Sequence, residues 1–189
     1  SGAGALIVEG LENRRDMDMK ALGFGGGQER GFRVGTENLP GIAGFGAAAR
    51  CTPEMIADMD RIRRLRDGLE DAVRAIEPDA VVFGEGVARL ANTSFLTMPG
   101  TDSSTQLMAF DLAGIGLSAG AACSSGKVKT SGVLAAMGVD TDLAATAVRV
   151  SLGWPSDAGD VDAFVGAWAD LHNRENNSFG AGKLAKPAA

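Results

Sequence analysis

The sequence has few of the side chains that build disulfides, zinc sites and histidine-based catalytic centres. It contains two cysteines, Cys51 and Cys123, a single histidine, His172, and no tyrosine. Two cysteines are too few for a disulfide framework, which favours a reducing, cytoplasmic setting. Because the single histidine follows the last helical pattern, we expect it at a helix end or on the surface. Neither tetrahedral zinc nor a Ser-His-Asp or Cys-His arrangement is expected.

Long apolar runs and positive charge are also scarce. No apolar run approaches the roughly 18 residues of a membrane helix, and the first residues lack the basic region of a secretory signal. Lys and Arg together number 18 against 24 Asp and Glu, a formal net charge of −6. This balance argues against nucleic acid and membrane partners, since both need a basic surface. The short basic stretch RIRRLR (61–66) is interpreted as a solvated helix face.

Glycine is the residue in excess, at 27 of 189 positions, which is about twice its usual share. The segment GGGQERGFRVGT (25–36) combines glycines with arginines and Thr36, and it is too rich in glycine for a helix or strand. Such a loop is a candidate for holding an anion such as phosphate, although it lacks the spacing of a P-loop. The alternative is a long ordered loop without a ligand.

Apolar periodicity predicts alternating strands and helices, and therefore an α/β fold. Strands are predicted at 4–8, 80–86, 92–98, 115–120 and 148–153, and helices at 39–50, 53–76, 102–114, 131–138, 140–147 and 157–172. Thr52, Pro53 and Glu54 are interpreted as the start of the long second helix. Residues 173–189 are predicted to be a mobile tail.

Cys123 lies among small residues in LSAGAACSSGKV (117–128). Small neighbours leave a thiol accessible, and nearby Lys127 and Lys129 favour its thiolate form, which is the nucleophile. The alternative is a buried structural cysteine, the more common fate of a free thiol. Cys51 has no such surroundings and is interpreted as a packing residue.

Arg149 is flanked by valines in VRVSLG (148–153), which predicts a half-buried guanidinium on a short strand. A buried guanidinium needs a carboxylate or phosphate partner. That partner is either an acidic side chain of this protein or the carboxylate of a substrate.

Three segments, in this order, resemble the cysteine desulfurases, pyridoxal-phosphate (PLP) enzymes of the class V aminotransferase group. They are GGGQERGFRVGTENLPGI (25–42), LSAGAACSSGKV (117–128) and VRVSLGW (148–154). The resemblance implies the C-terminal small α/β domain of a fold type I PLP-dependent transferase, with the last strand and loop of the large domain. Residues 1–45 would be that remnant, and 46–172 the small domain, led by a long helix.

The resemblance also implies roles for single residues. Cys123 would attack the sulfur of a PLP-bound L-cysteine and become a persulfide, leaving alanine, to supply iron–sulfur cluster assembly. Arg149 would hold the substrate carboxylate. Thr36 would reach the PLP phosphate of the neighbouring subunit in a homodimer, in a loop shaped by Arg33 and Gly35. The implied partners are L-cysteine, a second copy of the chain and a sulfur acceptor such as an iron–sulfur scaffold protein.

The chain departs from the family pattern where the cofactor is anchored. None of its five lysines matches the Schiff-base position, which in the family precedes the segment that SGAGALIV (1–8) matches. The chain is therefore expected to be inactive without an upstream half. Gly132 also stands where the family usually has histidine. The remaining alternatives are a non-catalytic α/β interaction module, a PLP-independent persulfide carrier that uses Cys123, and a selenocysteine lyase-like class V enzyme.

Overall fold

The computed structural model describes residues 2–7, 23–120 and 131–182, with side chains omitted for the last five of these. The chain divides into two compact units, Ser1–Ala57 and Asp58–Ala189. The elements of the described residues are α1 (Leu39–Ala57), α2 (Met59–Ile76), β1 (Thr93–Thr97), α3 (Ser103–Leu112), β2 (Ser118–Ala119), α4 (Gly132–Ala136), α5 (Thr141–Ala145), β3 (Ala147–Ser151) and α6 (Ala158–Gly182). This order confirms the predicted mixture of helices and strands.

The first unit consists of the glycine-rich loop, a short 3₁₀ turn at Gln28–Gly31 and helix α1. The predicted strand at 4–8 is wrong for residues 4–7, which pair with no strand in the described part of the chain, and Val8 lies outside that part. Leu6 and Ile7 are exposed there, because a strand needs a hydrogen-bonded neighbour before its side chains can be buried. Helix α1 likewise contains no buried residue.

The boundary between α1 and α2 differs from the prediction. Helix α1 continues through Thr52 and Pro53 to Ala57, so these residues do not begin a new helix. The hydroxyl of Thr52 donates to the carbonyl of Ala48 at 3.5 Å, one turn back along α1, instead of capping. Helix α2 begins at Met59. The predicted domain boundary, between residues 45 and 46, lies twelve positions before the observed division between Ala57 and Asp58. The assignment of the two units to a large and a small domain stays a prediction.

The second unit is built on a three-stranded antiparallel sheet with strand order β1-β3-β2. The strands predicted at 92–98 and 148–153 are confirmed as β1 and β3. The other two are much shorter than predicted: 115–120 forms the two-residue β2, and 80–86 contributes only a bridge between Val82 and Leu96. Strand β3 lies at the centre of the sheet, because it pairs with β1 on one edge and with β2 on the other.

The core lies on one face of this sheet. Helices α2, α3 and α6 cover Val148 and Val150 of β3 with a continuous apolar cluster. In it, Phe110 of α3 stacks on Phe164 of α6 at 5.0 Å between ring centroids, and the fully buried Trp168 packs beside both rings. The amphipathic pattern predicted for α2 and α6 is confirmed by these contacts.

The opposite face of the sheet is covered only in part, by the short helices α4 and α5. Their cluster contains Leu134, Ala144 and Ala147, with Phe83 and Phe95 packed against it. Each short helix begins at a side-chain cap: Ser131 accepts a hydrogen bond from the amide of Leu134, and Asp140 accepts from two amides of α5. These caps satisfy amides that a helix of five residues leaves unbonded.

Helix α6 extends ten residues beyond the predicted end at His172. His172 is half-buried, with Nδ1 3.4 Å from Glu77 Oε2 and Nε2 2.8 Å from the amide nitrogen of Asn176. These contacts connect His172 to the end of α2 and to the next turn of α6, so it does not lie at a helix end as predicted. In the described part of the chain, no helix has the length and apolarity needed to cross a membrane.

Candidate active site

Strand β3 places Arg149 on the face of the sheet opposite the core. Its neighbours Val148 and Val150 are buried, whereas Arg149 is exposed, so the predicted half-burial is wrong. The valine flanks were misleading because alternation along a strand sends flanking side chains to the other face. Arg149 forms no ion pair with any carboxylate of the described residues, so the interpretation of an internal acidic partner is not supported there.

The sheet register places two residues directly beside Arg149. Phe95 of β1 is its partner on one side and Ser118 of β2 on the other. Directly opposed side chains of an antiparallel pair lie on the same face, with Cβ atoms about 4.5–5.5 Å apart. Phe95 is itself held by an edge-to-face contact with Phe83, with ring centroids 5.5 Å apart. The result is a row across the sheet of an aromatic ring, a guanidinium and a hydroxyl.

Cys123 lies in residues 121–130, outside the described residues together with Lys127 and Lys129. The roles predicted for these residues stay predictions. The structure does show what precedes and follows the segment. Strand β2 precedes it, next to Arg149, and the buried cap residue Ser131 follows it.

The glycine-rich loop of the first unit is held in shape by one arginine. Arg33 Nη1 donates to the carbonyl oxygens of Val34, Gly35 and Thr36, at 3.1, 2.7 and 3.3 Å. Gly35 has a φ of 88°, in the region that favours glycine. Thr36 is exposed, and its hydroxyl has no partner among the described residues. The loop thus presents the exposed hydroxyl of Thr36 on a backbone that Arg33 holds in place.

Two residues of the same loop have unfavourable backbone angles. Glu29 and Arg30 have φ values of 50° and 57°, in the left-handed region that costs a residue with a side chain about 1–2 kcal/mol. Strained backbone of this kind concentrates at functional sites. Whether this loop holds a ligand stays a prediction.

Arg61 is a structural residue that sequence analysis missed. It donates to the backbone carbonyls of Trp154 and Ser156, at 2.8 and 2.6 Å, and so holds the turn that follows β3. Its guanidinium also pairs with Asp58 at 2.8 Å, and this hydrogen bond lowers the pKa of the Asp58 carboxyl below its usual value. The three-residue spacing of Asp58 and Arg61 on a helix predicts their ion pair, but nothing in the sequence predicts that Arg61 also binds the carbonyls of Trp154 and Ser156.

Arg66 also contradicts the interpretation of 61–66 as a solvated face. Its side chain is buried and donates to the carbonyl of Leu90 at 2.7 Å. The neighbouring Glu70 is buried as well and receives two hydrogen bonds from Arg89, at 2.7 and 2.6 Å. The Glu70 carboxylate raises the pKa of the Arg89 guanidinium. Arg63 and Arg64 alone fit the solvated interpretation, since both are exposed.

Cys51 is exposed on α1, so its interpretation as a packing residue is wrong. Its Sγ lies 3.6 Å from the carbonyl oxygen of Ala47, one turn earlier. The error has the same origin as the absence of buried residues in α1: an apolar helical pattern predicts burial only where another element covers it.

Comparison with known proteins identifies relatives of this architecture. The chain is 40% identical over 161 residues to a cysteine desulfurase of Cereibacter sphaeroides, covering 85% of this chain and 40% of the relative. It is 38% identical over 164 residues to an IscS-like cysteine desulfurase of Mycobacterium tuberculosis, covering 86% of this chain and 40% of the relative. The resemblance noted in the sequence is confirmed.

A solved structure agrees with these relatives. The NifS-like protein of Rickettsia africae superposes with a TM-score of 0.72 at 34% identity, over 82% of this chain and 40% of that protein. The chain thus spans about two fifths of the length of the relatives it matches. The sequence profile of the Aminotransferase class-V family matches residues 10–164. By this match and these relatives, the chain belongs to the class V aminotransferase family.

Proposed function

We propose that this chain is the thiol-bearing part of a cysteine desulfurase. In the proposed reaction the sulfur of L-cysteine passes to Cys123, which becomes a persulfide, while the remainder of the substrate leaves as alanine. One observation carries the proposal: the exposed guanidinium of Arg149, which has no partner among the described residues, lies beside the strand that precedes the Cys123 segment. The relatives named as cysteine desulfurases support the same reaction class.

Chain length keeps the thiol within reach of the guanidinium. Cys123 follows Ser118 by five residues, and an extended chain spans at most about 3.3–3.6 Å per residue. The Cα of Cys123 therefore lies within about 18 Å of the Cα of Ser118, the strand partner of Arg149. A segment of this length can deliver a thiol to a substrate that Arg149 holds.

Each residue of the proposed reaction has a simple chemical task. The guanidinium of Arg149 binds the substrate carboxylate through two parallel hydrogen bonds and fixes the orientation of the amino acid. The thiolate of Cys123 forms a bond to the substrate sulfur, and the bond between that sulfur and the substrate carbon breaks. A proton added at that carbon completes alanine, and one sulfur atom remains on Cys123.

The glycine-rich loop fits the phosphate end of PLP by the chemistry of its donors. Thr36 offers an exposed hydroxyl, and the loop that Arg33 holds offers backbone amides next to Gly35, the donor types that phosphate requires. When bound, PLP supplies the electron sink for the reaction of the amino acid. All five lysines of this chain lie outside the described residues. We propose that the Schiff-base lysine belongs to an upstream half, since the relatives are longer than this chain.

The experiment compares this chain alone with the chain joined to the polypeptide encoded upstream of Ser1. With PLP and L-cysteine, the joined protein is expected to form alanine, whereas the 189-residue chain alone is expected to bind PLP poorly and form none. Cys123→Ser should abolish alanine formation. Cys51→Ser is the matched control, since it removes the other, exposed thiol, and it should retain activity.

Each other outcome identifies a different function. Alanine formation that survives Cys123→Ser contradicts the assignment of the nucleophile. Sulfur that reaches Cys123 without PLP indicates a persulfide carrier instead. A strong preference for selenocysteine over L-cysteine indicates a selenocysteine lyase. The homodimer and the iron–sulfur scaffold acceptor are further parts of the proposal, tested by oligomeric state and by sulfur transfer from the joined protein.

A further inference from the structure

Two polar side chains that have no hydrogen-bond partner among the described residues lie next to each other on the face of the sheet opposite the core. Ser118 and Arg149 are directly opposed across β2 and β3. Among the described residues, neither the hydroxyl of Ser118 nor the guanidinium of Arg149 has a hydrogen-bond partner. The hydroxyl of Ser118 is half-buried, so it is free to donate to an acceptor that a ligand brings to this face of the sheet.

The opposite neighbour of Arg149 has a different chemistry. Phe95 offers no hydrogen-bond donor, and its edge-to-face contact with Phe83 fixes the ring against the cluster under α4 and α5. Of the two residues directly opposed to Arg149, only Ser118 of β2 therefore carries a hydrogen-bond donor in its side chain. An anion bound in this row is directed toward β2, the strand that precedes the segment of Cys123.

We propose that Ser118 is a second carboxylate-binding residue, which donates to the same substrate carboxylate as Arg149 and orients it toward β2. The inference rests on the proposed function for the identity of the substrate, an amino acid with a free carboxylate. The two carboxylate oxygens have about four acceptor positions, and a bidentate arginine occupies two of them. The hydroxyl of Ser118 takes a third, at a distance set by the Cβ separation of about 5 Å between opposed residues.

The test uses the 189-residue chain and the reaction product L-alanine, with binding followed by the chemical shifts of backbone amides. L-alanine is expected to shift the amides of Ser118 and Arg149, whereas L-alaninamide, which lacks the carboxylate, leaves them unchanged. Ser118→Ala should weaken binding by about tenfold, since it removes one hydrogen bond to a charged group. Ser118→Thr keeps a hydroxyl and should bind within about twofold of the unchanged chain.

Ser151→Ala provides the matched control. Ser151 is an exposed serine two residues after Arg149 on the same face of β3, and its strand partner is Thr93. Its loss should leave binding unchanged. In the joined protein, Ser118→Ala should raise KM for L-cysteine while kcat changes little, because the hydroxyl acts on binding and not on sulfur transfer.

Two results would overturn the inference. One is equal affinity for L-alanine in the unchanged chain and in Ser118→Ala, with Arg149 still required. The other is the same response to L-alanine and to L-alaninamide. Neither result depends on Cys123, so the carboxylate site and the proposed sulfur transfer can fail separately.

Discussion

Neighbouring arginines of α2 have different structural functions. Arg61 donates to two carbonyls of the turn after β3, Arg66 is buried against the carbonyl of Leu90, and Arg63 forms an exposed pair with Asp60. Their sequence context is nearly the same, so the stretch predicts one charged face. The difference arises from partners that are 24 to 95 positions away, which local pattern does not reveal.

Glu70 provides the sharpest test of the buried charges. Glu70→Gln removes the carboxylate that pairs with Arg89 and is the main counter-charge of that guanidinium. Breaking a buried pair in this way costs about 3–5 kcal/mol. Asp71→Asn is the matched control on the next residue, where the side chain is 81% exposed, and its cost should stay within about 0.5 kcal/mol. Urea unfolding of the two variants measures both values, and equal losses would contradict the assignment.

The pair of Asp58 and Arg61 predicts a dependence of stability on pH. The pKa of Asp58 is lower in the folded chain than the ordinary value of 3.8, so the unfolded chain binds its proton more tightly. The contribution of the pair is complete above that ordinary value and is lost as pH falls through the lowered pKa. Asp58→Ala should therefore lower the melting temperature at neutral pH, and the difference should shrink in acid. A difference that grows in acid would contradict this account.

At the scale of elements, a helix or strand was predictable where its periodic apolar pattern is matched by another element that packs against it or pairs with it. The alternation of 148–153 predicted β3, and its outward position explains the exposure of Arg149. The segment 80–86 forms only one bridge, because a strand extends only as far as a neighbouring strand offers residues to pair with. Pro53 was interpreted as a helix start, yet the alanine-rich sequence before it continues through the proline within α1.

The packing of α6 can be tested with the two tryptophans of the sequence. Trp168 of α6 is fully buried beside Phe110 and Phe164, whereas Trp154 is 58% exposed on the turn held by Arg61. Trp168→Ala should cost about 3–5 kcal/mol of stability. Trp154→Ala should cost within about 0.5 kcal/mol, since its carbonyl remains available to Arg61. Thermal unfolding compares them, and a larger loss at Trp154 would reverse the assignment of the core.

At the scale of the whole molecule, the chain is one part of a family architecture. The three segments in family order were sufficient to predict the class V family and the α/β fold. The periodic pattern could not predict that α1 has no buried residue, because the pattern of a helix does not show whether another element packs against it. The candidate carboxylate site was predictable only for Arg149: its neighbours Phe95 and Ser118 are separated from it by 54 and 31 positions in the sequence. Only the strand register brings the three together.

The central claim is that sulfur from L-cysteine becomes covalently attached to Cys123. The most direct measurement is the mass of the peptide that contains Cys123, from the joined protein treated with PLP and L-cysteine. The account predicts a gain of one sulfur atom on this peptide, removed by a reducing agent, and no gain on the peptide of Cys51. An unmodified Cys123 peptide in a protein that is forming alanine from L-cysteine would contradict it.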